Sequence, residues 1–161
     1  MNQPSDLSLC EVTHENWRAA LKLTVHTEQQ RFIADHVPIA AIALAKAYVR
    51  PGGLTWIPYV FYSSTTMIGF MELAYEPESS DNYWLYHFFI DQHYQGQRYG
   101  KQALRLFLQF LQQQYPQCAA LQLTVHPENT RAQQLYISVG FQPTGSEIDQ
   151  EPVYKLVLKQ S

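Results

Sequence analysis

A strongly apolar run, Trp84 to Ile90, is followed by the stretch His93-Tyr94-Gln95-Gly96-Gln97-Arg98-Tyr99-Gly100-Lys101 and then by a periodic segment, Gln102 to Gln114. The run reads as a strand. In the segment, Leu104, Phe107, Leu108 and Leu111 repeat at i, i+3, i+4 and i+7, which is one face of an amphipathic helix. A short turn with two glycines therefore joins a strand to a helix N-terminus. Such a turn aims unpaired backbone N–H groups and the positive end of the helix at one point, where a phosphate or pyrophosphate is at home. Glycine keeps side chains clear of the anion and permits positive φ. An ordinary strand–helix turn with incidental glycines is the alternative, since short glycine motifs are common. The Gly-Lys-Ser/Thr ending of a Walker loop is absent, and so is Gly-x-Gly-x-x-Gly.

The remaining elements assemble around this unit. Leu7 to Val12 alternates and reads as a strand, and Thr13 is placed to cap a segment with Trp17, Ala20 and Leu21 on one face. Leu23 to Ile33 is a polar loop with a short helix from about Glu28. Pro38 opens a helix to Tyr48 with Ile39, Ile42, Ala43 and Val49 inward, and Arg50-Pro51-Gly52-Gly53 ends it. Leu54 to Tyr62 and Thr66 to Tyr75 are strands of a hairpin turning at Ser63-Ser64-Thr65. Glu76 to Asn82 is an exposed loop, and Tyr83 to Ile90, apolar on both faces, is a central strand. Ala120 to Val125 is a buried strand. Thr130 to Ser138 is a helix with Ala132, Leu135, Tyr136 and Val139 inward and Gly140 as its C′ residue. Phe141 to Pro143 and Pro152 to Leu158 are closing strands linked by Gly145 to Gln150. The order is that of one α/β domain, residues 1–161, on a mixed sheet.

Charge narrows the partners. Net charge is −3 with no run of Lys or Arg, which argues against nucleic acid or an anionic membrane surface. Cys10 and Cys118 form neither a disulfide framework nor a metal motif, so a reducing compartment and a soluble cytoplasmic protein without metal are expected. The most apolar helical stretch, Ile39 to Val49, is too short to span a bilayer and contains Lys46.

Two motifs carry a resemblance. After Phe88-Phe89-Ile90 comes Gln95-Gly96-Gln97-Arg98-Tyr99-Gly100, similar to a Gln/Arg-x-x-Gly-x-Gly/Ala phosphate-binding pattern. About thirty residues on, Asn129, Ala132, Leu135, Tyr136, Gly140 and Phe141 match Asn-x-x-Ala-x-x-Leu-Tyr-x-x-x-Gly-Phe residue for residue. Together they resemble the GNAT superfamily of acetyl-CoA-dependent N-acetyltransferases. The likeness implies a mostly antiparallel sheet of six to seven strands flanked by about four helices, with acetyl-CoA as cosubstrate. The first glycine of the phosphate pattern is replaced by Arg98, whose Cβ restricts the backbone and whose side chain can reach a phosphate. Glu15-Asn16-Trp17, Tyr83-Trp84, Ile90-Asp91 before Tyr94-Gln95-Gly96, and Pro127-Glu128-Asn129 are similar to bacterial spermidine/spermine-type (diamine) acetyltransferases.

Acetyl transfer to an amine needs a held cofactor, a polarised thioester carbonyl, a neutral amine and a protonated leaving thiol. The turn Gln95, Gly96, Gln97, Arg98, Tyr99, Gly100 and Lys101 is expected to supply the first. The resemblance implies that the backbone at Phe89 and Ile90 pairs with the pantetheine arm and acetyl carbonyl, that Asn129 contacts the arm, and that Tyr136 is the general acid. A phenol is protonated at neutral pH and can donate, although periodicity alone makes Tyr136 a core aromatic. For the base, Glu72 stands either in a cleft or on a solvated sheet face. Histidine is the side chain that titrates near neutrality, although a lone His such as His87 in an aromatic strand is more often a satisfied core residue. Solvent can also deprotonate a free polyamine. Substrate recognition is expected from Glu28 and Trp84, among acidic residues such as Asp35, Glu76, Glu78 and Asp81 and aromatic ones such as Phe32, Trp56, Tyr59 and Tyr62, because carboxylates and ring faces suit a cationic amine. A peptide N-terminus, an amino acid and an aminoglycoside stand as alternative acceptors, and a non-catalytic acyl-CoA sensor as the alternative function. The aromatic load is also compatible with a homodimer.

Overall fold

Tyr83–Ile90 is the fourth of seven strands, as its two apolar faces require. The computed structural model describes residues 6–158. Strands β1 (Leu7–Glu11), β2 (Thr55–Ser63), β3 (Thr66–Tyr75), β4 (Tyr83–Ile90), β5 (Ala120–Thr124), β6 (Gln142–Ile148) and β7 (Glu151–Val157) form one sheet in the order β1-β2-β3-β4-β5-β7-β6. Every neighbouring pair is antiparallel except β4 and β5. The helices are α1 (Trp17–Ala20), α2 (Gln30–Ile33), α3 (Ile39–Val49), α4 (Tyr99–Gln114) and α5 (Thr130–Ser138).

Period-two alternation distributes β2–β4 between two cores. Phe61, Met71 and Phe88 pack with Leu104, Phe107 and Leu111 of α4, while Val60, Phe70 and Phe89 pack with Ala20 of α1 and Ile39, Ala40 and Ala43 of α3. The central strands thus have no solvated face, and burying one such side chain is worth about 1.5–3 kcal/mol.

The α4 helix begins at Tyr99, three residues before its periodicity shows, with Arg98 in the left-handed region (φ 65°) as its cap. The α1 helix starts after Asn16 rather than being capped by Thr13, whose hydroxyl instead accepts from the Glu15 N–H at 3.2 Å. In α3, Val49 is 70% exposed instead of inward, and Tyr48 is 90% exposed. Ile39, Ala40 and Ala43 set the inward face, and the last turn projects past it. β6 runs on to Ile148 where Gly145–Gln150 reads as connection. As an edge strand outside β7 it tolerates Pro143, and a register shift between Pro143 and Glu147 absorbs Gly145. Asp149 and Gln150, both at positive φ, make the turn.

Two irregularities of β4 break the regular sheet. Phe70 faces Phe89 and Glu72 faces Tyr86, so His87 and Phe88 together oppose Met71. This is a bulge with His87 at φ 54°, which bends the strand and re-aims its side chains. Further, β4 and β5 are in register at Trp84–Gln122 alone, while β5 pairs along its whole length with β7. The two parallel strands part beyond that rung, and the Phe88–Ile90 end of β4 faces an opening.

Candidate active site

The opening is a cleft of about 360 Å³ between the end of β4, the start of α4 and one face of α5. Asp91, the residue after β4, anchors the turn beside it. This buried carboxylate accepts from the N–H of His93 at 3.0 Å and of Thr24 at 2.9 Å, and contacts His93 Nδ1 at 2.7 Å. Gln95 then folds back: its Nε2 donates to the Ile90 carbonyl at 2.9 Å and to Gln29 Oε1 at 3.0 Å, and Gln29 Nε2 returns a bond to Gln95 Oε1 at 3.1 Å. Gln95 lines the cleft, and its side chain acts there as a strut that fixes the turn. Gly96 takes φ 78° with open space around its Cα, so conformation and not crowding calls for glycine there.

Gly96, Arg98, Tyr99, Gly100 and Lys101 line the cleft with Phe89, Ile90, Asn129 and Tyr136, whereas Gln97 does not. Asn129 Oδ1 caps α5 by accepting from the Ala132 N–H at 3.3 Å. Arg131, inside the Asn-x-x-Ala motif, joins Arg98 and Lys101 at the wall; sequence reasoning passed over it because the motif leaves that position free. Three cations, the N-terminus of a sixteen-residue helix and no Asp or Glu surround this space. That set fits an anionic, phosphate-bearing ligand.

A second cavity of about 260 Å³ lies behind the first, and Phe32, Ile33, Phe88, Asn129, Ala132 and Tyr136 belong to both. Tyr136 is the buried hinge between them, in edge contact with Phe141 at 5.6 Å. Burial pushes its phenol far above the usual value, so it holds its proton at all ordinary pH.

Lys46, His87, Asp35, Tyr86, Arg31 and Glu151 contribute to the second cavity. Through its bulge His87 reaches back to α2 and α3. Its Nδ1 lies 2.9 Å from the Ile33 carbonyl and its Nε2 3.0 Å from Lys46 Nζ. A carbonyl can only accept and an ammonium can only donate, so His87 is neutral with its proton on Nδ1. Burial first and the Lys46 charge second push it down to about 4. Lys46 lies 5.0 Å from the Trp56 ring centroid and 4.9 Å from that of Tyr86. Its own value is lowered by burial, against the pull of Glu72 and Asp35.

Glu72 is 0% exposed on β3, its carboxylate oxygens bond to nothing among the described residues, and it lines neither cavity. Burial pushes it up to about 8, with Lys46 holding it back. Neither the open cleft nor the solvated sheet face expected for it is where it lies. Glu28 is exposed and lines neither cavity, and the Trp84 indole is spent on Asn82 Oδ1 at 2.8 Å. Of the acidic residues, Asp35 reaches the second cavity, whereas Glu76 and Asp81 hold their own loop together through Asn82 and Ser79. Lys46, Arg31 and Glu151 are the cavity residues that sequence reasoning missed. No group of three or more His, Cys, Asp or Glu among the described residues is arranged to hold a metal ion, and no described helix is long and apolar enough to cross a membrane.

The chain matches the model of the acetyltransferase (GNAT) family over residues 13–141. It is 33% identical over 148 residues to a probable spermine N(1)-acetyltransferase of Bacillus subtilis subsp. natto, covering 89% of this chain and 91% of that one. It is 32% identical, over the same shares, to the spermine/spermidine N(1)-acetyltransferase of Bacillus subtilis strain 168. Among solved structures it resembles the spermidine N-acetyltransferase of Vibrio cholerae in complex with CoA and spermine, with a TM-score of 0.71, 16% identity and 94% of each chain covered.

Proposed function

The chain belongs to the acetyltransferase (GNAT) family, and on that premise we propose that it moves an acetyl group from acetyl-CoA to a primary amine of a small molecule, a polyamine of the spermidine or spermine kind first. The observation that carries this reading is the pair of cavities meeting at Tyr136: one cationic and suited to phosphates, the other of mixed charge, where rings and the carboxylates Asp35 and Glu151 stand around an amine, Lys46, and Arg31.

The thioester brings an activated acetyl group; the chain supplies everything else. Arg98, Lys101, Arg131 and the α4 N-terminus hold the phosphates, and the Gln29–Gln95–Ile90 bonds keep that loop in shape before the cofactor arrives. The backbone at Phe89 and Ile90 lies along the cleft, where the Ile90 N–H, on the edge away from β3, can polarise a carbonyl. Tyr136 keeps its proton at neutral pH and donates it to the leaving thiolate. Tyr86, Asp35 and Glu151 of the cavity wall surround the acceptor's cationic groups, and Trp56 backs the Tyr86 ring at 4.9 Å. Deprotonation of the acceptor falls to solvent. The His87 lone pair is engaged by Lys46, and Glu72 is sealed from both cavities.

The test is release of CoA thiol from acetyl-CoA with spermidine, spermine, putrescine, an aminoglycoside, single amino acids and a short peptide. Saturable release with spermidine or spermine and not with the others is expected. Release with the peptide or the aminoglycoside alone would reassign the acceptor.

A further inference from the structure

The second cavity already contains a primary amine. Lys46 Nζ projects from α3 into it, 3.0 Å from His87 Nε2 and beside the Trp56 and Tyr86 rings, in a space that also reaches Tyr136. The titratable and charged groups that share the cavity with it are His87, Tyr86, Arg31, Asp35 and Glu151, and Glu72 of β3, outside the cavity, acts on it through charge alone. The Lys46 environment thus has the elements expected for an acceptor: aromatic faces, carboxylates, a nitrogen that can take a proton, and the phenol shared with the cofactor cleft. We propose that Lys46 is itself an acetyl acceptor, modified within its own molecule when no small amine competes; this rests on the function proposed above.

The step balances without a further reagent. The Lys46 ammonium gives a proton to His87 Nε2, the atom it already bonds, and from there to solvent. The freed Nζ lone pair forms the N–C bond to the acetyl carbon as the C–S bond breaks. The sulfur leaves with the electron pair and takes the Tyr136 proton. A second proton of Nζ is lost by the same route and restores the phenol through solvent. The products are an amide at Lys46, free CoA thiol and one proton released. Burial favours the neutral amine that this attack needs. The product has no positive charge and no ammonium to bond His87 Nε2, so acetylation would also change the charge of the acceptor cavity.

The full-length chain is incubated with acetyl-CoA and no amine, and acetyl groups are located by peptide mass spectrometry. Acetylation is expected at Lys46 to one group per chain, at a rate independent of protein concentration, slowed by spermidine and at least tenfold slower in Tyr136→Phe. In Lys46→Arg, which keeps a cation beside His87, the mark is lost. A second measurement needs no cofactor: competitive labelling with acetic anhydride across pH, with Lys22, Lys101 and Lys155 as references. Lys46 is expected to become reactive at lower pH than the references. Turnover of amines with Lys46 left unmodified would overturn this inference and leave the proposed function standing. Lack of acetyl-CoA binding, with no release for any amine, would overturn both. Labelling of Lys46 that tracks the other lysines would refute the activated amine.

Discussion

Glu72 offers the sharpest test of the buried electrostatics. Its carboxyl is 0% exposed, bonds to nothing among the described residues, and is raised from 4.5 to about 8 by burial. The folded carboxyl binds its proton more tightly than the unfolded one. Its contribution to stability is therefore complete below about pH 4.5 and is lost as pH rises through about 8. At pH 7 folding must recover a proton that the unfolded chain has shed, at a cost of about 3 kcal/mol, rising to about 5 kcal/mol above pH 8. Glu72→Gln removes the titration and keeps the shape. Chemical denaturation of both proteins across pH gives the difference curve. His87, held down at about 4, slopes the opposite way between about pH 4 and pH 6.5, and largely cancels in that difference. The amide's unsatisfied groups add a constant offset of about 1–3 kcal/mol, which is read at low pH. Above that baseline, Glu72→Gln gains about 1.4 kcal/mol per pH unit from about pH 5 upward and levels off above pH 8. Curves that stay parallel through that window would mean the carboxylate is solvated or ion-paired, and the burial argument would be wrong.

Three further outcomes rest on particular contacts. Tyr136→Phe, which removes only the hydroxyl shared by the two cavities, lowers turnover by about 10²-fold while acetyl-CoA binding measured by calorimetry persists; unchanged turnover would remove it as the acid. Arg98→Gly relieves about 1–2 kcal/mol of left-handed strain, partly offset by about 0.5–1 kcal/mol of added chain entropy, so the melting temperature holds or rises. The KM for acetyl-CoA rises several-fold in the same variant, and an unchanged KM would show that the guanidinium does not meet the cofactor. Gly69→Ala places a Cβ 2.9 Å from both Ile90 Cδ1 and the Phe89 carbonyl, costs about 1–3 kcal/mol by overpacking, and shifts the end of β4, so turnover falls with stability. A fully active, equally stable Gly69→Ala protein would show that this strand end is not held by that contact.

What the sequence displays and what it hides depend on the range of the forces involved. The strand–turn–helix unit and the α5 motif are local patterns, and the structure brings their residues to one cleft, with Gln97 turned away. The helix onset at Tyr99 was masked because Arg98 takes a conformation that its side chain disfavours. The length of β6 was hidden by Pro143 and Gly145, which punctuate most strands and are tolerated at an edge. Glu72 and Lys46 show a deeper limit. Which face of β3 carries Glu72 is fixed by packing under α3, and Lys46 points inward because Ile39, Ala40 and Ala43 already do. Those are contacts between segments far apart in the chain. The bulge that sends His87 toward α2 and α3 leaves no mark in a run of aromatic residues.

The single rung between β4 and β5 also has a mechanical meaning. A continuous sheet shares strain along every ladder, but here two half-sheets, β1–β4 and β5–β7–β6, pair at Trp84–Gln122 alone, braced at the same end by the Ala119 N–H on the Ser80 carbonyl and by Gln117 on the Tyr83 hydroxyl. A wedge driven between their free ends would lever against that rung, whereas a ligand that bonds to both edges would close the gap and act as a spacer strand. Occupancy should therefore protect amides well away from the bound molecule, in β5 and β7 as much as in β4. Hydrogen exchange would read the cofactor as part of the sheet's hydrogen-bonded frame as well as cargo in a pocket.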